Sequence, residues 1–423
     1  MNDKKILIIS NAALSQTDSN GRNLARLIDF ISIERKAQFF VYGNPDFKEC
    51  KDYYNISDRM ALQSFFGHLR IDGHIKYAPN ESDNGMKTFK RRKKTPFRML
   101  IREFVWKHGS WNNAYFKEWI DNVNPNCLLV VCGDNAFTLN IAKKISIEKN
   151  IPIILYSTEE YPFKNYNYLT KRPSLFYRTW KRFIDKAYKE IESSVAVGVF
   201  NTIALCDAFK NNYSYKCCYI YQKTNIDWVD NSKISQPMIV SYLGNLGLNR
   251  HKSLIEIANT ISDIVPGLKL NVYGRIPKNI KSELQSCQNM NLCGFVNYND
   301  VVKIIHQSTL LIHAEYNSPF LNRDLKYAFS TKISDSISSG TPLLIYANEN
   351  LAETSFLKDQ GCAYVATTKE ELSLNIKRAL FDVDSRKKIL KEAFRVRKEF
   401  FEKNDMFKAI IEEVICEKSI VCL

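Results

Sequence analysis

Ser330, Thr331 and Lys332 stand together at what reads as the opening of a helix. Two hydroxyls, a cation and the unpaired N–H groups of a first helical turn suit a phosphate or diphosphate. Ser330 is placed to cap that helix, because a serine oxygen can accept a bond from a first-turn N–H. Asp335 lies one turn further in and, being acidic, is better suited to sugar hydroxyls than to phosphate. An ordinary capped helix packing on a sheet would carry the same signals, so both readings stand. A second group of chemical residues follows the apolar run MIVSYL, where Gly244, Asn245 and Gly247 precede the cations Arg250 and Lys252. A third is the adjacent carboxylate pair Glu159 and Glu160 in YSTEEYP, with Asp134 after LLVVCG. One carboxylate of that pair could accept a hydrogen bond or a proton from a hydroxyl; an exposed acidic pair at a helix start is the alternative.

Positioning these residues requires strands that end where they begin. Ile333 and Ile337 share one helical face. Gly340 stands where a left-handed residue ends a helix, and Pro342 cannot continue it. Leu343–Ile345 then reads as a strand buried on both faces. The opening unit of a doubly wound domain, strand then glycine loop then helix, occurs twice. Lys4–Ser10 is followed by a loop ending in Ser19, Asn20, Gly21 and Arg22 and by a helix over Asn23–Ile31. Met238–Leu243 is followed by GNLGLNR and by a helix carrying Leu254, Ile255, Ala258 and Ile261. Further strands are expected at Gln38–Tyr42, Cys127–Cys132, Ile153–Tyr156, Val195–Asn201, Lys269–Tyr273, Met290–Leu292, Thr309–His313, Pro342–Tyr346 and Ala363–Val365. The fold class expected is α/β, with two doubly wound Rossmann-like domains. The polar stretch Asp230–Pro237 marks the boundary. The expected division is 1–232, then 233–395, then a tail at 396–423 that packs back on the first domain. A basic insertion covers about 80–110, with 80–98 flexible.

Composition narrows the class. The chain has 423 residues, 45% hydrophobic and 12% aromatic, enough for two cores. No apolar run reaches the roughly 20 residues that span a bilayer. The N-terminal MNDKKILIIS lacks a secretory h-region and cleavage site, so a cytoplasmic location is expected. The 11 cysteines show no zinc-ligand spacing and read as reduced, mostly buried thiols. The net charge of +15 favours polyanionic partners. Its densest block, Lys90–Lys94, lies among Phe89, Phe97, Phe104, Trp106 and Trp111. Basic residues beside exposed aromatics fit an anionic membrane face; a solvated basic loop beside a core helix is the alternative. No RNA-binding or helix-turn-helix signature accompanies the charge.

In order and spacing, the segments TDSNGRNLARLI, STEEYP, YLGNLGLNRHKSL, VYGRIP, CGFVNYNDVV and FSTKISDSISSGTPLL resemble those of GT-B glycosyltransferases. The likeness is to the retaining family 4 group, and within it to bacterial enzymes that build capsule, O-antigen or exopolysaccharide. It implies two domains facing across a cleft, the second holding the nucleotide sugar and the first the acceptor. Gly244, Asn245 and Gly247 match the loop beside the diphosphate. Arg250 or Lys252 would neutralise the leaving diphosphate, with Ser330, Thr331 and Lys332. Gly274 and Arg275 match a turn near the nucleotide, and Phe295 and Val296 the segment lining the base. Asp335 takes the place of the glutamate that holds the ribose hydroxyls. The family's other glutamate falls at Tyr327, a departure, and Glu315 is the candidate to take over its contact with the sugar. In the first domain Gly21 matches a loop whose amides approach the donor phosphate or the acceptor, flanked by Asn20 and Arg22, which with Asp134 are acceptor-side candidates. Glu159 and Glu160 stand where related enzymes place a histidine.

The implied reaction moves a sugar from a nucleoside diphosphate to a hydroxyl of a glycan or polyprenyl-linked acceptor, with retention. No cofactor is implied beyond the nucleotide sugar, and no metal, since no DxD-type motif occurs in a plausible place. A peripheral site on the inner face of the cell membrane would suit such an acceptor. A nucleotide-sugar epimerase on the same fold and a basic nucleic-acid-binding protein are the alternatives. Donor sugar, base, linkage and oligomeric state stay open at this level.

Overall fold

The computed structural model describes residues 4–16, 19–67, 71–75, 94–234, 236–402 and 405–416. The chain divides into two compact units, Met1–Ile220 with Asn404–Leu423, and Tyr221–Lys403. The polar stretch expected to mark the boundary therefore lies inside the second unit. Backbone bonds hold it there: Val229 N–H donates to Ser339 O (2.9 Å) and Asn231 N–H to Gly340 O (3.0 Å). Arg386, fully buried, donates to the carbonyls of Asn231 and Ser232 from the same unit. The tail divides too. Arg397 donates to Ser338 O in the second unit, whereas the helix Asp405–Cys416 belongs to the first.

The first unit is built on strands β1 (Ile6–Ala12), β2 (Lys36–Tyr42), β3 (Asp52–Asn55), β4 (His74–Ile75), β5 (Cys127–Val131), β6 (Ile153–Ser157), β7 (Val195–Phe200) and β8 (Lys216–Tyr219). They form one sheet in the order β4-β3-β2-β1-β5-β6-β7-β8. All neighbours are parallel except β3 and β4. Ile6 to Ile9 are completely buried, as expected of a central strand covered by helices on both faces. The sequence pattern identifies β1, β2, β5, β6 and β7 but not β3, β4 or β8. Those three lie at or near the sheet edges, are short, and lack an apolar run. The first helix spans Ser19–Leu27 and not Asn23–Ile31, so Asn20, Gly21 and Arg22 lie in its first turn. Much of the expected flexible insertion at 80–98, including the basic residues 90–93, lies outside the described residues. The stretch after it is the helix Pro96–His108, capped by the Thr95 hydroxyl.

The second unit holds β9 (Val240–Leu243), β10 (Leu270–Tyr273), β11 (Met290–Gly294), β12 (Leu310–Ala314), β13 (Leu343–Tyr346) and β14 (Tyr364–Ala366). These pair in the order β11-β10-β9-β12-β13-β14 and are parallel throughout. Its core joins Val240, Leu270, Leu310 and Leu344 to Leu254, Ile257 and Ile261 of the helix Arg250–Ile264. In each sheet the strand order reverses at one place, between β1 and β5 and between β9 and β12. Crossover helices leave to opposite sides there, and the crevice beyond the strands' carboxyl ends is where ligands bind in such folds.

Candidate active site

In the second unit the predicted residues meet at the end of β9 and β12. Backbone bonds run Gly244 N–H to Tyr273 O (2.8 Å) and Gly274 N–H to Gly294 O (2.7 Å), lacing the ends of β9, β10 and β11. A side chain on Gly274 would stand 2.1 Å from Gly244 O, and one on Gly244 would stand 3.2 Å from Lys332 Nζ. Beyond Gly244 the loop is self-braced: Tyr242 hydroxyl donates to Asn245 O, and Gly247 N–H to Asn245 Oδ1 (2.7 Å). Leu248 and Asn249 are both left-handed, φ 58° and 61°, a conformation uncommon outside glycine. This turn aims the helix that starts at Arg250 across the strand ends.

Arg250 reaches over β12. Its Nε and Nη2 both donate to Glu315 Oε1, at 2.8 and 2.5 Å. Glu315 Oε2 is buried with no hydrogen-bond partner among the described residues. Burial pushes the Glu315 carboxyl up despite Arg250, and Arg250 is held above its ordinary value because Glu315 outweighs its own burial. His313, two residues back on β12, sets Nε2 at 2.9 Å from Glu353 Oε1 and 3.8 Å from Glu315. Glu353 Oε2 in turn accepts the N–H of Ser330 (3.2 Å). Burial would raise Glu353, but His313 and the Ser330 N–H outweigh it and hold it below the usual range. Arg250 and the start of the helix Thr331–Ser338 are thus joined through Glu315, His313 and Glu353.

That helix start corrects one expectation. Ser330 is the N-cap residue, but its side chain makes no capping bond; Glu353 takes up its backbone N–H instead. Lys332 is exposed as a residue, yet protein packed around its ammonium and the neighbouring Arg250 lower its pKa. No ion pair is formed by it among the described residues. Asp335 Oδ1 accepts the Thr224 hydroxyl (2.8 Å). Gly340 is left-handed (φ +80°), and a side chain there would meet Val229 O at 2.1 Å. Arg275 stacks over the exposed ring of Phe295, 4.8 Å from its centroid, with Val296 half-buried beside it. Lys252 does not join the cluster: it lies over Tyr316 at 5.4 Å, since residues two apart on a helix face different ways.

His313, Glu315 and Glu353 could offer metal ligands, with donor atoms within 4.8 Å of one another. Both Glu353 oxygens and one Glu315 oxygen already have internal partners, and Arg250 and Lys332 supply positive charge beside them. That charge opposes a further cation and favours an anion on the side of Arg250 and Lys332.

In the first unit the strand-order reversal brings Asn11 and Asn135 together, Asn135 Nδ2 donating to Asn11 Oδ1 (3.1 Å). Asp134 is buried beside them and pairs with Lys94. Gly21 abuts Ala13 O, where a side chain would stand at 2.3 Å, so its smallness serves the packing of the first helix on its own loop. Asn20 is exposed and Arg22 half-buried in that first turn. The acidic pair is resolved by burial: Glu160 is enclosed and Glu159 partly exposed, and both face Lys164, at 3.3 and 3.6 Å. Burial pushes Glu160 up to about 7 against the pull of Lys164. Lys164 lies near the faces of Tyr168 and Tyr161. The sequence reading did not single out Asn11, Asn135, Lys164, Glu353 or His313 as site residues. Only Lys164, one helical turn after Glu160, leaves a sequence signal.

No protein-family model matches this chain, and no curated protein matches it. Solved structures do. Anabaena HepE, in complex with UDP and glucose, has a TM-score of 0.61 at 11% identity, over 98% of this chain and 100% of its own. WaaG, a glycosyltransferase involved in lipopolysaccharide biosynthesis, has a TM-score of 0.53 at 11% identity, over 96% and 99%. A protein from Listeria monocytogenes, described as a UDP-N-acetylglucosamine 2-epimerase, has a TM-score of 0.53 at 11% identity, over 97% and 96%. At such identities the likeness is one of fold. The chain has the α/β fold, built on two largely parallel sheets, of the GT-B glycosyltransferase structures.

Proposed function

We propose that the protein transfers a sugar from a nucleoside-diphosphate sugar to a hydroxyl of a glycan or lipid-linked saccharide, with retention, in cell-surface polysaccharide synthesis. One observation carries this reading. Arg250 and Lys332, with the first-turn N–H groups of Thr331 and Lys332, gather at the strand-order reversal of the second unit, beside Gly244 where a side chain would intrude. Fixed cations and backbone donors at one spot stabilise charge that grows on a departing diphosphate. The unpartnered Glu315 Oε2 then has a natural donor in a sugar hydroxyl, and Asp335 in the ribose hydroxyls. Phe295 and Val296 offer a surface for the base. HepE, which shares this fold, was solved with UDP and glucose. In the first unit Glu160, with a pKa near 7, has the character of a group that exchanges a proton at neutral pH. Asn20, Arg22 and Asp134 are assigned to the acceptor.

The test is thermal denaturation of the protein with UDP, GDP and ADP. One of them is expected to raise the Tm, as a ligand at about 100 times its Kd adds about 2.7 kcal/mol to the folded form. Labelled sugar from the matching donor should then appear in a membrane-lipid extract. No shift with any of the three would overturn the reading. Isomerised donor without acceptor would point to the epimerase alternative, whose fold is shared.

A further inference from the structure

The first unit carries an apolar stripe that faces solvent. On the helix Pro96–His108, Phe97, Ile101 and Phe104 recur at the spacing of one helical face and stand 51%, 43% and 49% exposed. Trp106 and Trp111, expected from the sequence to be exposed with them, are buried against Phe39. At one end Phe97 meets Phe176, ring centroids 5.1 Å apart. Phe176 and the 75%-exposed Leu175 open the helix Leu175–Ile191. At the other end Phe104 packs on Phe65 of the helix Asp58–Phe65, and Phe65 on the exposed Phe66. Three helices therefore set out a continuous run from Leu175 to Phe66.

Charge around this run is predominantly basic. From Asn165 to Ile184 the sequence holds Lys171, Arg172, Arg178 and Arg182, and the next acid, Asp185, is paired with the buried Lys181. From Lys94 to Ser110 it holds Lys94, Arg98, Arg102 and Lys107, and its one acid, Glu103, is buried under the N–H groups of Ala136 and Phe137. Asp58, the exposed acid nearest the stripe on the third helix, is bonded to Arg102 and to the Trp106 indole, both at 2.8 Å. We propose that this stripe seats the first unit on an anionic lipid bilayer. The apolar side chains enter the boundary between headgroups and acyl chains, while Arg98, Lys107, Arg172 and Arg178 meet lipid phosphates. A second copy of the chain would bring these like charges together, and a nucleic acid offers no apolar layer for Leu175 and Ile101. The inference extends the lipid-linked acceptor of the preceding reading, yet its test needs no nucleotide sugar, so the two can fail separately.

Full-length protein is floated with vesicles of phosphatidylglycerol and phosphatidylethanolamine, and with phosphatidylcholine alone, in about 0.1 M salt. Binding to the anionic vesicles only is expected. Phe97→Ser with Leu175→Ser, and separately Arg172→Glu with Arg178→Glu, should each lower the bound fraction by roughly tenfold or more. Ile147→Ser, at an exposed site on the helix Phe137–Lys149, should leave it unchanged. Hydrogen exchange of the unmodified protein should slow at residues 97–104 and 175–178 when anionic vesicles are added, a readout that needs no variant to fold. Absence of binding to anionic vesicles overturns the proposal. So does full binding by the apolar double variant, or a dimer in light scattering that the same variant abolishes.

Discussion

Arg250 carries two roles at once: its guanidinium neutralises Glu315 through one oxygen and stands beside Lys332. Removing it would leave Glu315 buried without its cation and, on the proposed reading, deprive a departing diphosphate of charge. Arg250→Ala should lower kcat for sugar transfer by about 100-fold or more. Arg250→Lys should recover little of it, since a lysine cannot hold Glu315 and face the ligand with separate N–H groups. Lys252→Ala, which removes only a cation lying over Tyr316, should change kcat less than about threefold. Steady-state kinetics on the three variants checks this, and equal losses at Arg250 and Lys252 would contradict the assignment. Arg250 was readable as a candidate from its place at the end of GNLGLNR. Its dependence on Glu315 was not, because the two are brought together only by the pairing of β9 with β12.

Between elements, Glu353 is the tie. It comes from the start of the helix Ala352–Gln360 and holds both the strand end at His313 and the helix start at Ser330. Glu353→Ala should therefore loosen the first turn, whose N–H groups are proposed to meet phosphate. We expect a rise of roughly tenfold in the donor KM with a smaller change in kcat, and a loss of about 3 kcal/mol in urea unfolding. Glu353→Gln, which keeps an acceptor for Ser330, should restore most of the donor KM; an unchanged KM in the alanine variant would remove Glu353 from the site. Nothing in the sequence around LAETSF marks this residue, as its role depends on three elements converging. The elements themselves were more legible. Central strands announce themselves as unbroken apolar runs such as ILII and LLI, whereas DYYN and KCCY at the sheet margins do not. The first helix began four residues early because Gly21 packs tightly enough on Ala13 to belong to the helix and not to its loop.

For the molecule as a whole, buried carboxylates set the response to pH. Burial raises Glu103 from 4.5 to about 7, more than its bonds from Ala136 and Phe137 offset. A carboxyl raised in the folded state favours folding most below its ordinary pKa, and that contribution is lost as pH rises through 7. The stability difference between the native protein and Glu103→Gln should fall by about 3 kcal/mol from pH 4.5 to pH 8. Chemical denaturation across that range measures it, and a flat difference would mean that Glu103 keeps an ordinary pKa. The two-unit plan and the reversal of strand order were both foreshadowed by the repeated strand, loop and helix opening. The dividing point was not, because buried Arg386 and the carbonyls it gathers leave no composition shift at Tyr221.

The helix Asp405–Cys416 places Phe407, Ile411 and Val414 in the same interior as Ile6, Ile8 and Leu24, and Lys4 Nζ donates to Ile415 O. During synthesis, the first unit thus waits for a segment made after the whole of the second unit before its interior can close. The intervening half has all its own core strands by then and can mature first.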